Sequence, residues 1–432
     1  MAEKPTLASI LDDVHCESAL ELVSHIRYAT DPPGSTFIST FDDHITSITP
    51  AQFLSNESTL NRGDMIEIQG PAASGKTQLL QFFAMTCVLP NHLIVSCTAA
   101  PQESAETITE EPPSSAHVLL GGRAKCVAIL DCDGRWCMQR LHAILSSYIS
   151  SKFTRVFAPD ATTQEVPPLV FDPSVSDLVA ESLSRIHIFR PTSSLSLAAT
   201  LSSLPTYHRR NIPDDEILMV FIDSISAFYH ADKWKTEQAT FSENSLRNSG
   251  KTQTTPRGAA EPSSSLSPSA FPRVDTNAMT HVVNTIQSLR RSLGIITIIT
   301  NWALITPEGS SVVNLNVDVS APWFGQHLPY PYPSIPKQPR AENTTPDAFT
   351  ITHHITLPPT TYAVPQFSLG TTFAQALENG KEQKFIALIR TPVSTCQQEK
   401  LEANLDLRNK YQDGVAVDSF EFSVRDGFIG VG

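Results

Sequence analysis

One short run of residues constrains the fold of this chain more than any other part of its sequence. An alternating apolar stretch, 64–68, leads into this run, and a helical pattern, 78–85, follows it. The run itself reads Gly70, Pro71, Ala72, Ala73, Ser74, Gly75, Lys76 and Thr77. A strand, a glycine-bearing turn and a helix in this order are the context of a phosphate-binding loop, or P-loop. We therefore predict an α/β unit that binds the phosphates of a nucleotide.

The chemistry of the P-loop follows from its residue types. Glycine at 70 and 75 allows a tight turn that points backbone N–H groups inward, and the next helix adds the positive end of its dipole. Lys76 can then reach the β- and γ-phosphates, and the hydroxyl of Thr77 can bind Mg²⁺. The predicted nucleotide-binding residues are 70–77 together with Gln78, which follows them.

The composition of the 432-residue chain indicates its class. An apolar fraction of 41% is enough for a sizeable core, and 32 prolines against 18 glycines favour one domain with insertions. The formal net charge of −13 argues against a free-standing protein that binds the phosphates of DNA or RNA. Seven cysteines without CxxC spacing, no signal peptide and no apolar run of about 20 residues predict a soluble intracellular protein.

Polar and proline-bearing stretches divide the chain. We predict an N-terminal helical or linker segment, 1–54, followed by a nucleotide-binding domain, 55–432. Four stretches within that domain are too rich in proline, acidic or small polar residues to pack, and we expect disordered insertions there. They are 98–118, 158–169, 242–275 and 307–366.

Apolar runs predict the strands of the fold. Three runs after the P-loop have the continuous apolar character of buried parallel strands, 126–131, 216–224 and 295–300. Helical patterns lie between them, the clearest at 282–293, where apolar residues repeat on one face. Three further runs predict antiparallel strands near the C-terminus, 384–390, 419–424 and 428–431. The predicted fold class is therefore α/β, with a mostly parallel central sheet and antiparallel C-terminal strands.

Acidic residues at the ends of two predicted strands complete the candidate site. Asp223 ends the most apolar strand, where its carboxylate can hold the Mg²⁺ shell together with Thr77. The alternative role of Asp223 is a helix N-cap. Hydrolysis also needs a carboxylate that orients the attacking water, and Asp133 is a better candidate than Asp131, because the chain turns at the following glycine. The alternative for both is a strand-to-turn cap. Asp133 and Lys76 are the predicted catalytic residues.

The strand at 295–300 is followed by two polar side chains. Asn301 stands where an amide can sense the γ-phosphate, and we include it among the predicted nucleotide-binding residues. Trp302 cannot accept a hydrogen bond, and its expected role is packing.

Several of these segments together resemble the RecA superfamily and, within it, the eukaryotic strand-exchange recombinase paralogues of the X-ray repair cross-complementing type. The most specific segment is 222–229, which reads Ile-Asp-Ser-Ile-Ser-Ala-Phe-Tyr. The other segments that carry the resemblance are 62–71, 129–134 with Arg140 and Leu141, 299–301 and 422–431. The resemblance implies a RecA-like P-loop NTPase core that binds ATP and Mg²⁺. It extends over roughly 55–310 and the C-terminal strands, with insertions between.

The resemblance also implies a function in homologous recombination repair of DNA double-strand breaks in the nucleus. The implied partners are other recombinase paralogues, the main recombinase, and single-stranded or branched DNA contacted through the complex, with no membrane. The stretch 242–275 lies where recombinases place their first DNA-binding loop. Relatives carry a catalytic glutamate in place of Asp133 and a glutamine in place of Trp302. Three functions therefore stay open: an ATP-binding mediator, an active DNA-dependent ATPase, and a non-catalytic scaffold stabilised by nucleotide.

Overall fold

The structure is a computed structural model, and it describes most of the chain between residues 30 and 302 and shorter segments after it. The described residues are 26, 30–48, 58–97, 114–157, 173–249, 278–302, 331–333, 351–358, 382–393, 411–412, 415–425 and 428–431.

The described elements alternate between helices and strands up to residue 302, and strands follow. The helices are α1 (Ser39–Ile48), α2 (Lys76–Val88), α3 (Met138–Phe157), α4 (Pro173–Ser184), α5 (Ser194–Asn211), α6 (Tyr229–Ser249) and α7 (Ala278–Leu293). The strands are β1 (Met65–Gly70), β2 (His92–Cys97), β3 (Ser114–Leu119), β4 (Cys126–Asp131), β5 (Ile186–Phe189), β6 (Ile217–Asp223), β7 (Ile296–Trp302), β8 (His353–Thr356), β9 (Glu382–Pro392), β10 (Tyr411–Gln412), β11 (Val415–Arg425) and β12 (Phe428–Val431).

Ten of the described strands form one sheet. Its order is β10-β11-β9-β8-β1-β7-β6-β4-β5, and β12 pairs with β11. Six strands that are adjacent in this order run parallel to one another: β8, β1, β7, β6, β4 and β5. The other four, β9, β10, β11 and β12, join the sheet through antiparallel pairs. The predicted α/β class, with a mostly parallel central sheet and antiparallel C-terminal strands, is confirmed at this level.

Apolar sequence explains why β1, β4 and β6 lie inside the sheet. Every residue of these three strands is buried. A strand that is buried along its whole length needs cover on both faces, as in parallel α/β sheets. Residues of α1, α2, α3 and α4 belong to the core on one face, and residues of α5, α6 and α7 belong to the core on the other. The carboxyl ends of β1, β7, β6 and β4 therefore meet at one edge of the sheet, where ligands bind in folds of this class.

Three of the predicted insertions contain regular structure, so the prediction of disorder is wrong there. β3 lies largely within 98–118 and pairs antiparallel with β2. The first eight residues of 242–275 continue α6. β8 lies within 307–366 and is inserted between β1 and β9. Each of these strands depends on a distant partner that local composition does not reveal. The stretch 158–169 lies outside the described residues. So do the remaining residues of the other three stretches, except 331–333 and the residues next to β8 in 351–358.

The segment before residue 54 contributes a helix that the sequence did not predict. Phe41 and Ile45 of α1 are fully or almost fully buried in the same core as Ile66 of β1. The ring of Phe41 stacks on Phe420 of β11 with 6.5 Å between centroids, and it meets the ring of His353 edge-on at 5.7 Å. This helix thus packs on the C-terminal strands. Apart from residues 26 and 30–48, the predicted N-terminal segment 1–54 lies outside the described residues.

Among the described helices, none is long and apolar enough to cross a membrane.

Candidate nucleotide-binding site

The P-loop connects the carboxyl end of β1 to the first turn of α2. Gly75 has a φ of 92°, in the left-handed region that favours glycine. A Cβ atom at Gly75 would lie 3.0 Å from the ring of Phe422 and 3.2 Å from that of Phe385. At Gly70, a Cβ atom would lie 2.5 Å from Oγ of Ser74. The loop therefore has room for glycine alone at both positions, as the sequence pattern requires.

Two polar side chains lie inside the loop. Lys76 is 8% exposed, and its Nζ donates to the carbonyl oxygens of Gly70 (2.7 Å) and Pro71 (2.6 Å). Burial lowers the pKa of Lys76 to about 8, and the nearby carboxylate of Asp223 offsets part of this effect. The buried hydroxyl of Ser74 has no hydrogen-bond partner within the part of the chain that the structure describes. An ammonium and a hydroxyl held in a backbone turn are donors for a phosphate oxygen.

Thr77 and Asp223, the two predicted Mg²⁺ ligands, are in direct contact. The Thr77 hydroxyl donates to Oδ2 of Asp223 at 2.9 Å. Asp223 is 2% exposed and accepts two further hydrogen bonds, from Nε1 of Trp136 (3.0 Å, to Oδ2) and from Oγ1 of Thr300 (2.6 Å, to Oδ1). Three donors from three different elements fix this carboxylate at the carboxyl end of β6.

The structure separates the roles of Asp131 and Asp133. Asp131 is buried, and its two oxygens accept the backbone N–H groups of Arg135 (2.9 Å) and Trp136 (3.1 Å). Asp131 is therefore the cap of the turn, which was the alternative that the sequence left open. Asp133 is half-buried, and its Oδ2 lies 3.4 Å from Oγ of Ser224, beside the site. Burial, and then the charge of Asp223, raise the pKa of Asp133 above its usual value.

Trp302 makes a contact that the sequence reasoning missed. Its indole Nε1 donates to Oδ2 of Asp133 at 3.3 Å, so the ring holds the predicted catalytic carboxylate in addition to packing. Trp136 plays the same part for Asp223. Neither contact is visible in the sequence, because each joins residues on separate elements. An indole N–H can only donate and an ionised carboxylate can only accept, so a tryptophan is a chemically suitable partner for a carboxylate.

Asn301 lies in the interior of the sheet. Its Nδ2 donates to Oε1 of Glu67 at 3.1 Å, and both residues are fully buried. Oε2 of Glu67 lies 3.5 Å from Nε2 of His354, whose Nδ1 lies 3.2 Å from Oγ1 of Thr356. Thr356 in turn accepts from Nη1 of Arg390 at 2.7 Å. This row of side chains, which we call the buried polar row, crosses β7, β1, β8 and β9. The γ-phosphate contact of Asn301 stays a prediction.

The side chains and glycines around the loop 70–77 determine whether Mg²⁺ and a nucleotide can bind there. The described residues contain no group of three or more His, Cys, Asp or Glu side chains that could hold a metal ion alone. Mg²⁺ is usually bound through one or two protein oxygens, substrate phosphates and water, and Thr77 with Asp223 supplies such oxygens. The glycine cradle and the unpartnered Ser74 hydroxyl suit a phosphate. The residues present therefore fit a Mg²⁺-nucleotide.

The sequence matches no family model, and no curated protein matches it at a significant level.

Proposed function

We propose that this chain is an ATP-binding recombinase paralogue that assists homologous recombination repair of DNA double-strand breaks within a nuclear complex of paralogues. The observation that carries the nucleotide part is the 2.9 Å hydrogen bond between Thr77 and Asp223. These residues are 146 positions apart, and the fold brings them together at the edge where β1 and β6 end. Support for the recombinase part comes from the segments 129–134, 222–229 and 299–301, since they carry the family resemblance and meet at this same edge.

The chain's own residues divide the work in this proposal. Lys76 and the backbone of the P-loop bind the phosphates, while Thr77 and Asp223 hold the Mg²⁺ shell. Bound Mg²⁺ would neutralise charge on the β- and γ-phosphates. Asp133 accepts a proton from, and orients, the attacking water. Its side chain is shorter than that of glutamate, and the hydrogen bonds that it accepts from Trp302 and Ser224 make it a weaker base, so we expect slow turnover.

A scaffold without turnover is the second candidate, and one contact favours it. Gly75 packs against Phe385 of β9 and Phe422 of β11, which stack at 5.0 Å with 15° between their planes. A nucleotide in the P-loop would therefore stabilise the C-terminal strands by mass action, without any chemistry.

An exposed aromatic face on α6 supports contact with single-stranded DNA. Trp234 and Phe241 are 61% and 73% exposed and stand seven residues apart, on one side of the helix. Lys233 and Lys235 flank Trp234, and Nζ of Lys233 lies 6.0 Å from the ring centroid of Tyr229. Aromatic rings beside cations are the usual platform for stacked bases. We expect Trp234→Ala with Phe241→Ala to weaken single-stranded DNA binding by the complex about tenfold or more.

The test of the proposal is binding and hydrolysis of ATP by the purified chain, with and without Mg²⁺, single-stranded DNA and co-purifying partners. Thr77→Ala should abolish the Mg²⁺-dependence of ATP affinity, whereas Thr77→Ser, which keeps the hydroxyl, should retain it. Turnover that depends on DNA and is lost in Asp133→Asn would favour the active ATPase. Binding without turnover in every mixture would favour the mediator or the scaffold. A chain that binds no ATP would refute all three.

A further inference from the structure

A tightly held turn follows β4 and ends at Trp136. The backbone N–H of Asp133 donates to the carbonyl oxygen of Asp223 at 3.2 Å. The carboxylate of Asp131 accepts the backbone N–H groups of Arg135 at 2.9 Å and of Trp136 at 3.1 Å. The indole of Trp136 is anchored on Asp223 as well. The backbone of Arg135 is thus fixed on both sides, while its side chain is exposed.

The arginines around this turn differ in their partners. Nε of Arg190 lies 3.5 Å from Oδ2 of Asp131. Nη2 of Arg140 donates to Oε1 of Gln78 at 2.7 Å. The guanidinium of Arg135 makes no hydrogen bond and no ion pair with any residue that the structure describes. Of these three arginines, Arg135 is therefore the one whose donors are available to a ligand.

The charge of Arg135 reaches the candidate site. It contributes to the lowered pKa of Lys76, after burial and against the opposing charge of Asp223. It also counteracts the rise in the pKa of Asp133, which burial and Asp223 cause. Arg135 directly precedes Trp136, whose indole donates to the same oxygen of Asp223 as the Thr77 hydroxyl, so the turn places Arg135 at the edge of the candidate site. Two cations at one site repel each other, and a bound anion offsets that repulsion.

We propose that Arg135 is a nucleotide-binding residue whose guanidinium contacts the terminal phosphate of a bound nucleoside triphosphate. This inference rests on the proposed nucleotide binding and extends it to a residue outside the P-loop. Guanidinium groups bind phosphate oxygens through two parallel N–H donors, and an arginine supplied by the same chain can stabilise the phosphoryl group. Because the backbone of the turn is already fixed, binding through Arg135 does not also have to order the main chain.

The contact predicts discrimination between nucleotides. A hydrogen bond to a charged group contributes enough affinity that its loss should weaken ATP binding about tenfold to hundredfold. ADP lacks the phosphate that Arg135 would contact, so its affinity should change about twofold or less. The ratio of the two dissociation constants is therefore the diagnostic quantity, and it is measured without turnover.

The experiment is calorimetric titration of the full chain with Mg²⁺-ATP and Mg²⁺-ADP. The variants are Arg135→Ala and Arg135→Lys, and the control is Arg209→Ala. Arg209 is an exposed arginine at the end of α5, which leads into the start of β6 at the opposite edge of the sheet. Thermal unfolding of each variant without nucleotide checks that the fold is intact.

The expected result is a selective loss of ATP affinity in Arg135→Ala, a partial loss in Arg135→Lys because lysine is a single point charge, and no change in Arg209→Ala. Suppose that the wild-type chain binds both nucleotides, and that Arg135→Ala changes the dissociation constants of ATP and ADP equally or changes neither. This result would overturn the role of Arg135 but not nucleotide binding. A wild-type chain that binds neither nucleotide would overturn both.

Discussion

The indole Nε1 of Trp302 donates to Oδ2 of Asp133 across 3.3 Å, from the end of β7 to the turn after β4. The acceptor is the carboxylate that we predict to orient the attacking water. A donor to a carboxylate stabilises its charged form and lowers its pKa. Trp302 is therefore a positioning residue for Asp133, and it acts through the carboxylate's orientation and charge.

Replacing Trp302 should change the titration of Asp133. In Trp302→Phe the indole donor is lost, so the pKa of Asp133, already raised by burial, should rise further. A turnover that needs the charged carboxylate is lost as pH falls through that pKa, so its acidic limb should move to higher pH. The measurement is the pH–rate profile of ATP hydrolysis.

The fluorescence of Trp302 offers a readout that does not need turnover. The difference in fluorescence emission between the wild-type chain and Trp302→Phe reports on Trp302. This difference should change with pH as Asp133 is protonated. That transition should be absent in Asp133→Asn. A transition that persists in Asp133→Asn would contradict the contact.

ATP affinity should depend on pH through Lys76. The folded chain has a Lys76 pKa of about 8, below the ordinary value of 10.5. Phosphate binding favours the charged ammonium, so affinity should fall above about pH 8, by at most tenfold per pH unit for one proton. Lys76→Met should bind weakly, without this slope. The measurement is a series of ATP titrations between about pH 7 and 9.5.

The same pKa has an opposite consequence for stability. Between pH 8 and 10.5 the unfolded chain binds more protons at Lys76 than the folded chain does. The contribution of Lys76 to the free energy of unfolding should therefore rise with pH in this window. Denaturant unfolding without nucleotide, compared between wild type and Lys76→Met, isolates this contribution.

The buried polar row should depend on Glu67. Glu67→Ala leaves the imidazole of His354 without its carboxylate and the amide of Asn301 without this acceptor, in a fully buried setting. Leaving a buried polar group without its partner costs about 1–3 kcal/mol in the free energy of unfolding for each group. Glu421→Ala on β11, an exposed position, is the control, with an expected change within about 0.5 kcal/mol. Denaturant unfolding compares the two, and equal costs would contradict this interpretation.

Two glycines separate the effect of conformation from that of space. Gly75 and Gly134 both have positive φ, 92° and 68°, but a Cβ atom would meet Phe422 at Gly75 and nothing within 4 Å at Gly134. Gly134→Ala should cost about 1 kcal/mol of stability from conformation alone. Gly75→Ala adds overpacking and should cost about 3 kcal/mol. It should also weaken ATP binding, which thermal unfolding and titration together would measure.

Local sequence was sufficient for the elements that carry their own apolar pattern. β6 is a continuous apolar run, and the glycine, lysine and threonine of the P-loop have fixed spacing, so both were predictable. β8 has four residues and two histidines, and it becomes a strand because β1 and β9 supply its hydrogen bonds. Prediction from one stretch of sequence cannot see such partners.

The candidate site divides in the same way. Thr77 and Asp223 were predicted as a pair because each follows a strand that ends at the same edge of a parallel sheet. Trp136 and Trp302 were not assigned to the carboxylates, because their contacts arise from the path of the turn after β4 and from the end of β7. Spatial neighbours of this kind leave no periodic signal in the sequence.

The stacked rings of Phe385 and Phe422 lie behind Gly75, although they belong to strands near the C-terminus. During synthesis the ribosome releases the P-loop long before these strands. A nascent chain therefore has the predicted phosphate-binding residues early, but it lacks the two aromatic rings that pack behind their turn. We expect nucleotide binding to be among the last properties that the growing polypeptide acquires, after its parallel strands have already assembled.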